Sequence, residues 1–72
     1  MNRTLTAYIE FDIESRLYVG LIPGIPGAHT QAASLDELQQ NLKEVVALCL
    51  EENQELLDKL PQFVGVQQIE VA

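Results

Sequence analysis

Seventy-two residues with a single cysteine (Cys49) and a single histidine (His29) allow one domain, residues 1–72, with a thin core. An intrachain disulfide is excluded and no cluster of metal ligands is spaced for a structural site. Eleven acidic residues against four basic ones give a formal net charge of −7, a field that disfavours direct nucleic-acid binding and would steer a basic protein inward.

No stretch approaches the ~20 apolar residues of a membrane span. The start, Met1-Asn2-Arg3-Thr4, lacks the apolar block of a secretory leader. One unpaired cysteine fits a reducing compartment, so a cytoplasmic location is expected. A chain this small needs support beyond its own core, and a homodimer or higher homo-oligomer is expected to supply it.

Residues 4–13 alternate, with Leu5, Ala7, Ile9, Phe11 and Ile13 on one face and Thr6, Tyr8, Glu10 and Asp12 on the other. That is the period of a half-buried strand. Glu14-Ser15-Arg16 reads as a polar turn. Residues 17–22 then form a second strand, with Leu17, Val19 and Leu21 opposite Tyr18, Gly20 and Ile22, and the two strands make an antiparallel hairpin. Pro23-Gly24-Ile25-Pro26-Gly27 forbids regular structure and turns the chain sharply. A short third strand follows over residues 28–32.

Ser34-Leu35-Asp36-Glu37 is a capping box, in which the Ser34 hydroxyl accepts from Glu37 N–H and the Glu37 carboxylate accepts from Ser34 N–H. Leu35, Leu38, Leu42, Val45, Val46, Cys49 and Leu50 then recur at helical spacing, predicting a helix over 35–52. The pattern resumes at Leu56, Leu57 and Leu60 after a continuation or break near Asn53, and Pro61 ends it. Residues 63–71 are β-like, but the alternation slips phase at Gln67-Gln68, as at a bulge or in a strand whose halves pack on different surfaces. The expected fold is α+β, in the order β-β-β-α-β, with an antiparallel meander, one helix packed on one sheet face, and the last strand beside the first.

No catalytic residue, cofactor or metal is assigned. Glu10, Asp12 and Glu14 alternate on one face and could hold a divalent cation, as in a degenerate nuclease; a solvated edge and turn explain them more simply. His29 lacks an acid or nucleophile partner in the pattern. Ser15 and Ser34 are accounted for as turn and cap, and Cys49 as a small core residue. Two features favour partner binding. The sheet face left open by the helix would present Tyr8, Tyr18 and Ile22 beside Glu10. Leu48 lies among Glu44, Glu51 and Glu52 on the outward side of the helix, a contact point for a basic partner. The expected partner-binding residues are therefore Tyr8, Glu10, Asp12, Glu14, Tyr18, Ile22, Glu44, Leu48 and Glu51.

The run Tyr8-Ile9-Glu10-Phe11-Asp12, then Tyr18-Val19, then Ile22-Pro23-Gly24-Ile25-Pro26-Gly27-Ala28-His29-Thr30, then Ser34-Leu35-Asp36-Glu37 with Leu42-Lys43-Glu44-Val45, resembles the HicB family of antitoxins over residues 7–50. The resemblance implies a partial ribonuclease-H-like fold, like the N-terminal domain of that family, without a ribonuclease active site. It also implies a partner: a small basic toxin of the HicA type that cleaves messenger RNA and is neutralised by direct binding. Many members carry a C-terminal DNA-binding domain for which these 72 residues leave no room, so DNA is not expected among the chain's own partners. Where the family often has Gly-Asp-Thr entering the helix, this chain has Ala32-Ala33-Ser34. A solitary homo-oligomeric binding module of the same fold, without a surviving toxin, is the alternative.

Overall fold

Alternation early in the chain and helical spacing in its middle become a three-stranded antiparallel sheet and one long helix. The computed structural model describes residues 4–72; Met1-Asn2-Arg3, where the start free of a leader is read, lies outside the described residues. Strand β1 spans Tyr8–Asp12, β2 Leu17–Leu21 and β3 His29–Ala32, in the sheet order β1-β2-β3. Helix α1 follows over Leu35–Glu52, and a short 3-10 helix over Gln54–Lys59. The α+β class is present as β-β-β-α.

β1 is shorter than the alternating run, and Ile13 belongs to the turn. Asp12 stands opposite Leu17 in the hairpin. Arg16 N–H donates to the Asp12 carbonyl at 2.8 Å, and Ser15 N–H donates to Asp12 Oδ2 at 3.2 Å. Arg16 closes the turn at φ 61°, in the left-handed region.

The Pro/Gly segment is two tandem turns with one design. Ile25 N–H donates to Ile22 O at 3.3 Å and Ala28 N–H to Ile25 O at 3.1 Å. Each turn carries proline second and glycine third, at Pro23-Gly24 and Pro26-Gly27. Gly24 has φ +91° and Gly27 φ +85°. This is the type II geometry, in which proline presets the second position and only glycine accepts the third without strain. Ile22 N–H donates to Ala28 O at 2.9 Å, tying the loop off at the end of β2 and β3. The turn corners Ile22, Ile25 and Ala28 are all buried. The loop is thus part of the core as well as a connection.

At the start of α1, Ser34 adopts an extended conformation and its hydroxyl accepts from Glu37 N–H at 3.2 Å. The serine half of the capping box is formed. The helix stops at Asn53, whose N–H donates to Cys49 O at 3.2 Å. Asn53 Oδ1 accepts from Glu55 N–H at 3.1 Å and so starts the 3-10 helix. One residue thereby ends one helix and caps the next.

Leu38, Leu42 and Val46 form the buried stripe of α1, and Leu38 is wholly buried. Leu38 and Leu42 pack with Ala32, flanked by Ala7 and Tyr18. Val46 packs with Ile22, Ile25 and Ala28, flanked by Val45, Cys49, Leu50, Leu56 and Leu60. Leu35, expected on the same stripe, remains 51% exposed at the helix entrance. Because the connection from β3 is only Ala33-Ser34, α1 returns over β3 and β2. It does not reach over β1. Ile9 and Phe11 are each 50% exposed and Ile13 82%, where the alternation predicts a core face; only Leu5 and Ala7 of that row pack on the core.

The expected fourth strand is not formed. Residues 60–72 carry no regular secondary structure, and Val64, Val66, Ile69 and Val71 stand in solvent. β-propensity describes a fit to a pleated neighbour, and these residues are not laid along one.

Candidate functional site

Strand register assigns each predicted residue to a face. Residues opposite one another across a ladder share a face, so Phe11, Tyr18 and Ala32 lie together, as do Ile9, Gly20 and Thr30. This is the face α1 packs on. The other face carries Tyr8, Glu10 and Asp12 from β1, Leu17, Val19 and Leu21 from β2, and His29 and Gln31 from β3.

The open face expected from the sequence is therefore only half right. Tyr8 and Glu10 are on it. Tyr18 and Ile22 are not: Tyr18 packs against the Ala32, Leu38 and Leu42 cluster, with its ring 5.1 Å from that of Phe11 in an edge-on arrangement, and Ile22 is a core residue. The reason is Gly20. Its missing side chain makes the Tyr18-Gly20-Ile22 row the one a helix can approach, whereas the bulkier Leu17-Val19-Leu21 row faces outward. That glycine inside a strand pattern is the sequence signal for close approach, and it was the one that would have located the helix. Leu21, 44% exposed beside Tyr8, joins the open face in place of Tyr18.

The three carboxylates near the hairpin are not gathered. Asp12 is engaged with Ser15: the Ser15 hydroxyl is the largest cause, and its N–H the next, holding the Asp12 carboxyl below its ordinary value. Glu14 is exposed in the turn. Among the described residues, no group of three or more His, Cys, Asp or Glu side chains is placed to hold a metal ion. His29 is exposed at the start of β3. Cys49 is half-buried, with its thiol directed at Pro26 O at 3.6 Å.

Glu44, Leu48 and Glu51 do come together. Spaced four and then three residues apart, they form one stripe on the outer side of α1, and Leu48 is 63% exposed between the two acids. The stripe belongs to a larger charged surface. Residues 35–59 hold seven acidic side chains (Asp36, Glu37, Glu44, Glu51, Glu52, Glu55, Asp58) and two lysines (Lys43, Lys59), a net −5 of the chain's −7. All nine are exposed. The acidity read from composition is concentrated in the helical segment 35–59, on exposed side chains. Such a surface raises the local concentration of a cationic partner and accelerates its docking.

No family model matches the chain, and no solved structure matches it. It is 45% identical over 71 residues to a UPF0150 protein of Thermotoga maritima, covering 99% of this chain and 93% of that one. It is 47% identical over 58 residues to a UPF0150 protein of Archaeoglobus fulgidus, and 38% identical over 58 residues to one of Synechocystis sp., each covering 81% of both chains. With these identities sustained along most of both sequences, the chain belongs to the UPF0150 family.

Proposed function

We propose that this protein is a HicB-like antitoxin that binds and neutralises a small basic HicA-type ribonuclease, acting in the cytoplasm by binding and not by catalysis. The observation that carries the reading is the exposed Leu48 between Glu44 and Glu51 on α1, in a helical segment whose seven carboxylates are all exposed. A ribonuclease must be basic where it holds RNA, and exposed carboxylates carried on a helix compete for that surface by mimicking phosphate charge. Leu48 adds the apolar contact that charge alone lacks. The β-β-β-α order and the Ile-Pro-Gly-Ile-Pro-Gly turn support the HicB-like assignment and the partial ribonuclease-H-like fold that goes with it. Among the described residues no helix is long and apolar enough to cross a membrane.

The test is co-expression with the small basic protein encoded beside this gene. A complex that co-purifies, weakens with added salt and suppresses RNA cleavage is the expected result. A neighbouring product that neither binds nor is inhibited would refute it. One observation favours the second reading, a solitary self-associating module: the helix leaves Ile9, Phe11 and Ile13 uncovered.

A further inference from the structure

Among the described residues, two parts of the chain lack a partner, and they suit each other. The first is the outer edge of β1. The sheet order leaves β1 paired on one side only, and beside that edge Ile9, Phe11 and Ile13 are half to four-fifths exposed. An unpaired strand edge presents a row of free N–H and C=O groups, and natural chains usually blunt or cover it. The second is the segment 63–72. It carries no regular secondary structure and is rich in β-branched residues, and Glu70 is its only charged side chain. Val64 is 90% exposed, Val66 82%, Ile69 74% and Val71 82%.

Only the first residue of the segment packs on its own subunit. Phe63 makes an edge-on contact with the Tyr8 ring, with centroids 6.3 Å apart, at the start of β1. Beyond that point the chain runs out into solvent. The radius of gyration is 13.7 Å, against about 11 Å for a compact chain of this length. The other free edge, β3, offers His29, Thr30 and Gln31, which do not match an apolar strand.

We infer that residues 63–72 of one copy add as a fourth strand to the β1 edge of a second copy, covering Ile9, Phe11 and Ile13, and that the exchange is reciprocal. Each chain carries one donor segment and one acceptor edge, so a twofold dimer uses both and leaves neither over. The phase slip at Gln67-Gln68 gives the segment apolar residues on both faces, as a strand shared between two subunits requires. Ten extended residues carry about 1,600 Å² of accessible surface by the unfolded-chain scaling. Covering half of each of two segments removes roughly that area from the segments alone, which is the size of a standard stable interface. The donor segment carries one carboxylate, Glu70, and meets an edge that carries Glu10 and Asp12, so the pairing rests on its apolar and backbone contacts.

The interface is apolar and joins like-charged subunits, so added salt should leave the dimer intact or tighten it. Binding of a basic toxin weakens under the same conditions, which separates failure of this inference from failure of the proposed function. The experiment is sedimentation velocity on the full chain at micromolar concentration, with amide hydrogen exchange on the same samples. The expected result is a dimer of twice the 8.0 kDa subunit, with protection over residues 63–71 that rises with concentration. A monomer, or a segment without protection, overturns the inference.

Two variants define the contact. Val66→Asp with Ile69→Asp disables the donor, and Ile9→Lys with Ile13→Lys disables the acceptor; in each case the dimer should be lost. A dimer that survives either pair of substitutions overturns the inference. Mixing the two variants restores one native contact and pairs new carboxylates with new ammonium groups at the other. A heterodimer is therefore expected, and a mixture that stays monomeric overturns the exchange. Hydrogen exchange on the unsubstituted chain decides the matter if a variant does not fold.

Discussion

A Cβ placed on Gly20 would stand 3.0 Å from Leu42 Cδ1 and 3.2 Å from Leu38 Cδ2. The sheet meets α1 there, over the most deeply buried leucines of the chain. Gly20→Ala gains about 0.5–1 kcal/mol from reduced chain entropy, but overpacking costs about 1–3 kcal/mol. The expected net loss is about 1 kcal/mol by urea unfolding, and Gly20→Val should lose more. A stabilised Gly20→Ala would show that the leucines yield freely and that the approach is not tight.

Gly24 and Gly27 share a positive φ but not their surroundings. A Cβ on Gly24 would lie 2.5 Å from Pro61 Cδ, whereas one on Gly27 meets only Cys49 Sγ at 3.8 Å. Left-handed backbone costs a side-chain-bearing residue about 1–2 kcal/mol. Set against about 0.5–1 kcal/mol of unfolded-chain entropy, that strain leaves Gly27→Ala with a net loss of about 0.5–1 kcal/mol. Gly24→Ala should lose more, because Pro61 and Leu60 must move away from the turn as well. Thermal unfolding of the two variants side by side checks the order.

These glycines also mark where sequence reasoning stopped. The span of α1, its Ser34 cap, the hairpin and the sharp turn are legible because each rests on local chemistry: periodicity, a hydroxyl at the N-cap, proline and glycine. The assignment of faces is not local. Alternation in β2 defines two rows but not which one the helix covers, so the pattern alone leaves Tyr18 and Ile22 on the open face, where the structure places Leu21. The tandem turns read as punctuation, since nothing local shows that Ile22, Ile25 and Ala28 point inward. Residues 63–71 have the composition of a strand but are not paired with the free β1 edge of their own sheet. The acidic stripe through Glu44, Leu48 and Glu51 was legible because a helix position fixes its face without reference to the rest of the fold.

Arg16 closes the hairpin turn at φ 61°. Glycine there relieves about 1–2 kcal/mol of left-handed strain and gives back about 0.5–1 kcal/mol in unfolded-chain entropy. Arg16→Gly should therefore stabilise by roughly 0.5–1 kcal/mol, and Arg16→Val, β-branched at the same φ, should destabilise. Midpoints of chemical unfolding measure both.

Asp12 ties the same turn through Ser15. Its folded pKa lies below the ordinary 3.8, so its contribution to stability is present above the unfolded pKa and is lost as pH falls through the folded one. Carboxyl titration followed by NMR should find Asp12 below that value, and Ser15→Ala should move it upward by removing the hydroxyl bond. An unchanged titration in Ser15→Ala would assign the shift to the backbone N–H groups of Ser15 and Glu14.

If the outer face of α1 meets a basic ribonuclease, reversing its charge should act first on the rate of encounter. Glu44→Lys with Glu51→Lys changes the local charge by four units at exposed positions that make no core contact, so the subunit should keep its fold by circular dichroism. Association with the basic partner should slow by about ten- to a hundredfold at low salt, and the difference should shrink as salt is added. Leu48→Asp preserves the sign of the surface and removes its apolar contact, so it should speed dissociation with little effect on association. Val66→Asp with Ile69→Asp, far from α1 in the sequence and confined to the donor segment, should leave the association rate at least as high as in the unsubstituted chain. Stopped-flow traces that show equal association for the charge-reversed and unsubstituted proteins would move the toxin site off α1 and onto the open sheet face around Tyr8 and Leu21.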